Sequence, residues 1–157
     1  MNSNSIEQLL TEAPAFSGIS DEYARRLAEH GETLDIGNGE LLFRSGEAAR
    51  HFFVLIEGEV SIEVPAVTGP TLQVQRLTPV RVLGWSWLLP PFKWSFNAKA
   101  ERDSRIIRFD GEAVLEACES DPAFGYEVIK RFSGLMAERL DAAHRKMMEQ
   151  WSPAGFA

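Results

Sequence analysis

Short apolar runs separated by glycine and proline dominate the middle of the chain and limit what it can fold into. Eight such runs follow one another between Thr33 and Phe109, at 34–36, 41–43, 52–56, 60–64, 72–77, 80–83, 96–100 and 106–109. Turn residues fill several of the gaps, including those at 37–39 and 68–70. Runs this short at nearly regular spacing are typical of strands in an antiparallel sandwich or barrel. The sequence therefore predicts a mainly β fold.

Helical signals flank this β region on both sides. Ser20 can cap a short helix that stops at Gly31, and Asp110 can cap another. The pair Asp121-Pro122 marks the start of a long helix that continues to about residue 150. A chain of 157 residues suits one domain. We expect a single domain over 1–157, with a helical lead-in at 1–32, a β roll at 33–109 and C-terminal helices at 110–150.

The long C-terminal helix carries an apolar stripe over most of its length. The stripe recurs at steps of three and four residues, at Ile129, Phe132, Met136, Leu140, Ala143 and Met147. A helix of roughly thirty residues is about 45 Å long, which is more than a small β domain can cover. We therefore expect part of the stripe to meet its own copy in a homodimer. The alternative is that the helix folds back over its own sheet.

The charge and the scarcity of metal ligands exclude several classes of function. A net charge of -7 argues against direct DNA binding, because phosphate contacts need clustered lysine and arginine. Cys118 is the only cysteine, so one chain can form no disulfide and no cysteine-ligated metal site. The three histidines, His30, His51 and His144, lie in three different zones. We expect no metal and no catalysis, with a cupin-type metalloenzyme as the remote alternative.

No segment has the pattern of a signal peptide or of a membrane span. The N-terminus lacks a basic region followed by an apolar one. No apolar run approaches the ~20 residues that cross a bilayer. We expect a cytoplasmic protein without a membrane partner.

One ordered motif in the β region carries a family resemblance. It comprises a turn, a small residue, an apolar quartet and a second turn: Gly46, Glu47, Ala49, Phe52–Leu55 and Gly58. This motif resembles the first signature of the cyclic-nucleotide-binding domain superfamily, which includes the sensor half of catabolite-activator-type bacterial regulators. The resemblance extends over roughly residues 15–148. It implies a jelly-roll β roll flanked by short N-terminal helices and a long C-terminal helix, with a role in signal transduction. Phe43 is the departure, because a smaller aliphatic residue is usual there.

A second motif sets the ligand in this family, and here it is altered. In the family's phosphate-binding cassette a Gly-Glu pair binds the ribose hydroxyl, and a later arginine binds the cyclic phosphate. The corresponding stretch of this chain, at 83–96, reads LGWSWLLPPFKWSF. Gly84 is kept, but Trp85 stands at the glutamate position and Trp94 at the arginine position. Ser95 keeps a small hydroxyl, and Phe96 replaces a usual alanine.

These replacements disfavour cyclic AMP or cyclic GMP as a ligand. Losing both polar anchors costs several kcal/mol, or ~10³-fold in affinity. Lys93 could supply a charge, but adjacent side chains of an extended segment point to opposite faces. We expect the rings to plug the pocket, or to line it for another small ligand. The alternative is a genuine cyclic-nucleotide site in which the purine stacks on tryptophan.

The candidate pocket residues follow from this alignment of the cassette. They are Gly84, Trp85, Ser86, Trp87, Lys93, Trp94, Ser95 and Phe96. We expect no bound cofactor. The predicted function is that of a non-catalytic regulatory module, which acts through protein–protein contacts or another small ligand.

Overall fold

Two four-stranded antiparallel sheets form the centre of the molecule, as the spacing of the apolar runs predicts. The computed structural model describes residues 2–66, 68 and 71–150, so the predicted turn at 68–70 and the chain end at 151–157 lie partly or wholly outside it. One sheet has the strand order β1-β8-β3-β6 and the other β2-β7-β4-β5. The strands are β1 (Gly31–Ile36), β2 (Leu41–Phe43), β3 (His51–Glu57), β4 (Val60–Val64), β5 (Leu72–Leu77), β6 (Arg81–Leu83), β7 (Asn97–Ala100) and β8 (Ser104–Asp110).

Helices flank the sheets in the predicted order. They are α1 (Ser3–Glu12), α2 (Asp21–Ala28), α3 (Gly111–Ser120) and α4 (Pro122–Gln150), with a 3-10 turn at Pro14–Phe16. The two predicted caps are present, because Ser20 accepts a hydrogen bond from the Tyr23 amide and Asp110 accepts one from the Ala113 amide. α2 ends three residues before Gly31, which instead begins β1. A Cβ atom on Gly31 would lie 2.8 Å from the Phe109 ring, so glycine allows this strand to approach β8.

Strand β3 is buried on both of its faces and separates two apolar cores. Phe52 and Val54 point into a core shared with the helices. Phe53 and Leu55 point into a second core between the two sheets. Alternate residues of a strand face opposite sides, so the apolar run of β3 supplies both cores at once.

The inner face of α4 differs from the stripe that its sequence suggests. The residues that pack against the helical core are Phe124, Val128, Phe132 and Leu135, followed by Arg139. Phe132 is therefore not part of an exposed dimer surface, because its ring packs on Phe16, Phe52 and Trp87 inside the same chain.

The rest of the predicted stripe forms a second apolar face of α4. Ile129, Leu140 and Met147 are 48%, 71% and 58% exposed. Met136 and Ala143 are half-buried. The helix thus has one face in its own core and another open to solvent.

None of the described helices is both long and apolar enough to cross a membrane. Across residues 2–66, 68 and 71–150, no three His, Cys, Asp or Glu side chains are grouped so that they could hold a metal ion.

Candidate ligand pocket

The first residue after β6 in the altered cassette is a glycine, and it makes room for a tryptophan. Gly84 has a φ of 94°, in the left-handed region that glycine adopts readily. A Cβ atom at this position would lie 2.9 Å from the indole of Trp94. The glycine that the family motif keeps is therefore needed here to let the Trp94 ring pack against the backbone.

Trp94 fills the inner part of the pocket together with a residue from β2. Its indole stacks on the Phe43 ring with centroids 3.9 Å apart and an interplanar angle of 14°. Trp94 is 7% exposed and belongs to the core between the sheets. Two of the departures from the family pattern, Phe43 and Trp94, thus contact each other. Stacked aromatic pairs of this kind stabilise a core beyond the area that they bury.

Backbone hydrogen bonds hold Trp94 in this position. The Trp94 amide donates to the Glu47 carbonyl (2.9 Å), and the Gly46 amide donates to the Trp94 carbonyl (2.8 Å). The Ala49 amide donates to the Phe92 carbonyl at 2.7 Å. The turn that carries the first family motif therefore anchors the end of the cassette.

The outer part of the pocket is closed by Trp85 and Phe96. Their rings meet edge to face with centroids 5.5 Å apart, and both are half-buried. Ser86, Ser95 and Arg139 complete the lining with Phe43, Ile62, Gly84 and Trp94. The cavity that remains is about 10 Å³, which is room for one water molecule at most.

Arg139 is the charged residue of this pocket, and it comes from α4 rather than from the cassette. Its side chain is 1% exposed. The guanidinium donates to the Gln75 side-chain oxygen (2.7 Å) and to the Val82 carbonyl (2.9 Å). Burial lowers the pKa of Arg139 to about 10, with a smaller opposing effect from Glu138. At neutral pH the group is still a cation.

Trp87, although predicted as a pocket residue, lies in the other core. Its ring packs on Phe52 and Phe132 with centroids 5.1 and 5.0 Å away. Its indole N–H donates to the Gly84 carbonyl at 3.1 Å. Trp87 therefore joins the cassette to the helical core instead of facing the cavity.

Lys93 also points away from the cavity. Its side chain is exposed and lines a separate open groove of about 480 Å³ beside α3. Arg50 and Glu112, an ion pair at 3.5 Å, lie in the same groove. Of the predicted pocket residues, the structure brings six together around the cavity: Gly84, Trp85, Ser86, Trp94, Ser95 and Phe96.

The signals for the remaining lining residues were weaker in the sequence. Arg139 stands four residues after Leu135, in line with Val128 and Phe132, so it occupies a position that helical spacing assigns to the buried face. An arginine on the predicted buried face of a helix is unusual, and this could have marked Arg139 as a pocket residue. Phe43 was visible only as an unexplained departure.

Comparison with known proteins places the fold and motif in a family. Residues 34–121 match the family model of the cyclic nucleotide-binding domain. The chain belongs to the cyclic nucleotide-binding domain family. No curated protein sequence matches the chain.

Solved structures of this family have the same fold. A candidate cyclic nucleotide-binding protein of Geobacter metallireducens aligns with a TM-score of 0.75 and 23% identity, over 87% of this chain and 98% of that chain. The sensor domain of the transcriptional regulator DNR of Pseudomonas aeruginosa aligns with a TM-score of 0.69 and 20% identity, over 88% and 93% of the two chains. The catabolite activator protein of Thermus thermophilus aligns with a TM-score of 0.68 and 20% identity, over 86% of this chain and 62% of that chain. One of these three structures is thus the sensor domain of a transcriptional regulator.

Proposed function

We propose that this protein is a non-catalytic regulatory module of the cyclic nucleotide-binding fold that does not bind cyclic AMP or cyclic GMP. The observation that carries the proposal is the stack of Trp94 on Phe43, which occupies the space beneath the cassette. With Trp85 and Phe96 above it, only about 10 Å³ stays open. A nucleotide contains a ring system, a sugar and a phosphate, and each of these is larger than that space.

The polar groups that remain support the same proposal. A sheltered cyclic phosphate needs a cation and backbone N–H donors close to it. The cassette lysine, Lys93, faces the separate groove beside α3. The cassette prolines at 90 and 91 have no N–H to donate. Arg139 approaches the cavity from α4, on the side of Val82 and Gln75. The cassette itself therefore lacks the two anchors that the family resemblance associates with nucleotide binding.

Titration with cyclic nucleotides tests this proposal directly. We expect no saturable change in tryptophan fluorescence or melting temperature with cyclic AMP or cyclic GMP up to about 100 μM, since the missing anchors reduce affinity by ~10³-fold. Linear AMP serves as the matched control for weak, nonspecific effects of an adenine nucleotide. A cyclic-nucleotide dissociation constant in the micromolar range would contradict the proposal.

Such a module would act by contacting another protein, and α4 offers a surface for this contact. We propose that the exposed face around Ile129, Leu140 and Met147 pairs with the same face of a second copy. These large apolar side chains recur every two to three turns on one helix face and are exposed in the described part of the chain. A two-fold arrangement lets one helix face bury itself on its own copy.

A charge on this face is expected to dissociate the dimer. Leu140→Asp removes one apolar side chain from each copy, at about 1.5–3 kcal/mol each, which weakens the dimer by about 100-fold or more. Sedimentation at micromolar concentration measures the change. Arg145→Asp is the matched control, because five residues further on the helix has turned by roughly 140° relative to Leu140. A monomeric unmodified protein, or equal effects of the two substitutions, would contradict the dimer.

A further inference from the structure

An open groove of about 480 Å³ runs between the altered cassette and α3. One wall consists of Pro91, Phe92 and Lys93 of the cassette with the turn at 48–50, and the other is one face of α3. The buried side chain of Trp87 forms the floor. The groove shares no lining residue with the filled pocket. It is therefore a separate surface, and the proposed function does not use it.

Backbone hydrogen bonds hold the two walls of the groove in a fixed arrangement. The Ala49 amide donates to the Phe92 carbonyl (2.7 Å), and the Phe92 amide donates to the Leu89 carbonyl (2.9 Å). The Gly111 amide, at the start of α3, donates to the Arg50 carbonyl (2.9 Å). The cassette is thus tied to the turn, and the turn is tied to α3. A preformed groove loses little conformational freedom when a partner binds, which favours affinity.

Phe92 combines an unfavourable backbone conformation with an exposed ring. Its φ is 56°, in the left-handed region that residues with a side chain seldom adopt. The ring is 38% exposed and belongs to neither apolar core. Leu89 beside it is 53% exposed, and Leu115 adds a half-buried apolar side chain from α3. Core packing does not account for a strained phenylalanine at the surface, whereas an apolar anchor for a partner does.

The α3 wall of the groove has three carboxylates against two cations on the facing wall, Arg50 and Lys93. Glu112, Glu116 and Glu119 are four and three residues apart, so they share one helix face. Glu112 pairs with Arg50 at 3.5 Å. Glu116 and Glu119 are exposed, and neither forms an ion pair within 4.0 Å with a residue that the structure describes. These two carboxylates favour a partner with lysine or arginine, and the net charge of -7 attracts such a partner.

We propose that the groove beside α3 binds a basic amphipathic helix of a partner protein. Large apolar side chains of this helix pack on Phe92 and Leu115, and its lysine or arginine side chains meet Glu116 and Glu119. A helix fits because its side chains three and four residues apart lie on one face, as do the groove residues of α3. The inference goes beyond the proposed function, since the groove is separate from the filled pocket and from the exposed face of α4.

A labelled model peptide tests the class of partner. The probe is a fluorescein-labelled helix of about 14 residues, near the length at which an isolated helix forms, with leucines every three to four positions and lysines between them. We expect a saturable rise in fluorescence anisotropy. Replacing its lysines with glutamate, or its leucines with serine, should weaken binding at least about tenfold. Equal binding of the serine peptide would show attraction by net charge alone and would overturn the groove.

Charge reversal on the protein locates the binding site. Glu116→Lys is expected to weaken binding of the leucine–lysine peptide at least about fivefold, because a favourable charge pair becomes a repulsive one. Glu57→Lys is the matched control, since it changes the net charge equally at the far end of β3, about 20 Å from Arg50. Equal losses in the two variants would contradict binding at the groove.

Phe92→Gly tests the apolar anchor separately from the charge. Glycine adopts a positive φ without strain, so we expect the variant to fold, as circular dichroism will show. Loss of the ring should weaken peptide binding by about tenfold. Unchanged affinity would rule out Phe92 as the anchor. If this variant does not fold, the comparison of Glu116→Lys with Glu57→Lys still decides whether the groove is the site.

The outcomes separate this inference from the proposed function. Failure of the leucine–lysine peptide to bind the unmodified protein would overturn the partner class, and it would leave the result of the cyclic-nucleotide titration unchanged. If sedimentation shows that Phe92→Gly dissociates the dimer and Leu140→Asp does not, the groove binds a second copy of this chain. That result would also overturn the partner class proposed here.

Discussion

Replacing Trp94 with alanine is expected to destabilise the protein by about 3–5 kcal/mol, the range for truncating a buried large aromatic side chain. The reason is that Trp94 is 7% exposed and stacks on Phe43 at 3.9 Å, so its removal leaves a cavity in the core between the sheets. Equilibrium unfolding in urea, followed by circular dichroism, measures this loss as a change in the free energy of unfolding.

Trp85→Ala is the matched control, because the same side chain is lost from a half-buried site of the same pocket. We expect a loss of about 1–2 kcal/mol there, since less apolar surface returns to water. Indole should raise the melting temperature of Trp94→Ala more than that of the unmodified protein, because it can refill the cavity. Similar losses in the two variants would show that Trp94 is not a structural plug.

Replacing Trp87 with alanine is expected to cost a similar 3–5 kcal/mol, although Trp87 does not face the cavity. Its ring packs on Phe52 and Phe132, and its N–H donates to the Gly84 carbonyl. The substitution therefore opens the helical core and also leaves the Gly84 carbonyl without this bond. Urea unfolding is again the measurement.

Trp87→Phe separates packing from hydrogen bonding at this position. It keeps an aromatic ring and loses the indole N–H, so we expect a loss of about 1–2 kcal/mol. A loss as large as that of Trp87→Ala would show that the indole N–H bond to Gly84, and not the packing on Phe52 and Phe132, accounts for the contribution of Trp87.

Local patterns predicted the strands, the helix starts and the family. The eight apolar runs became eight strands because their length and spacing suit paired, extended backbone. Ser20 and Asp110 cap helices because a side-chain oxygen accepts from an amide three residues later. The motif around Gly46 and Gly58 led to the family that residues 34–121 match. Each of these features depends on residues close together in the chain.

The direction of side chains was predicted less well. The apolar stripe of α4 included Phe132, which belongs to the protein's own core. Apolar residues lie on two faces of this helix, and periodicity alone does not say which face meets the sheet. Trp87 was likewise grouped with the pocket because it lies in the cassette. The Leu83–Phe96 segment turns between the two cores, so neighbours in sequence face different sides.

The sequence by itself determined that two aromatic residues stand where the family has an acid and an arginine. Only the tertiary structure decided what those rings do. Trp94 stacks on Phe43, a residue 51 positions earlier in the chain, and the two together fill the pocket. Arg139 reaches the same pocket from a third element, α4. Contacts between residues so far apart depend on how sheets and helices pack, and no local pattern contains that information.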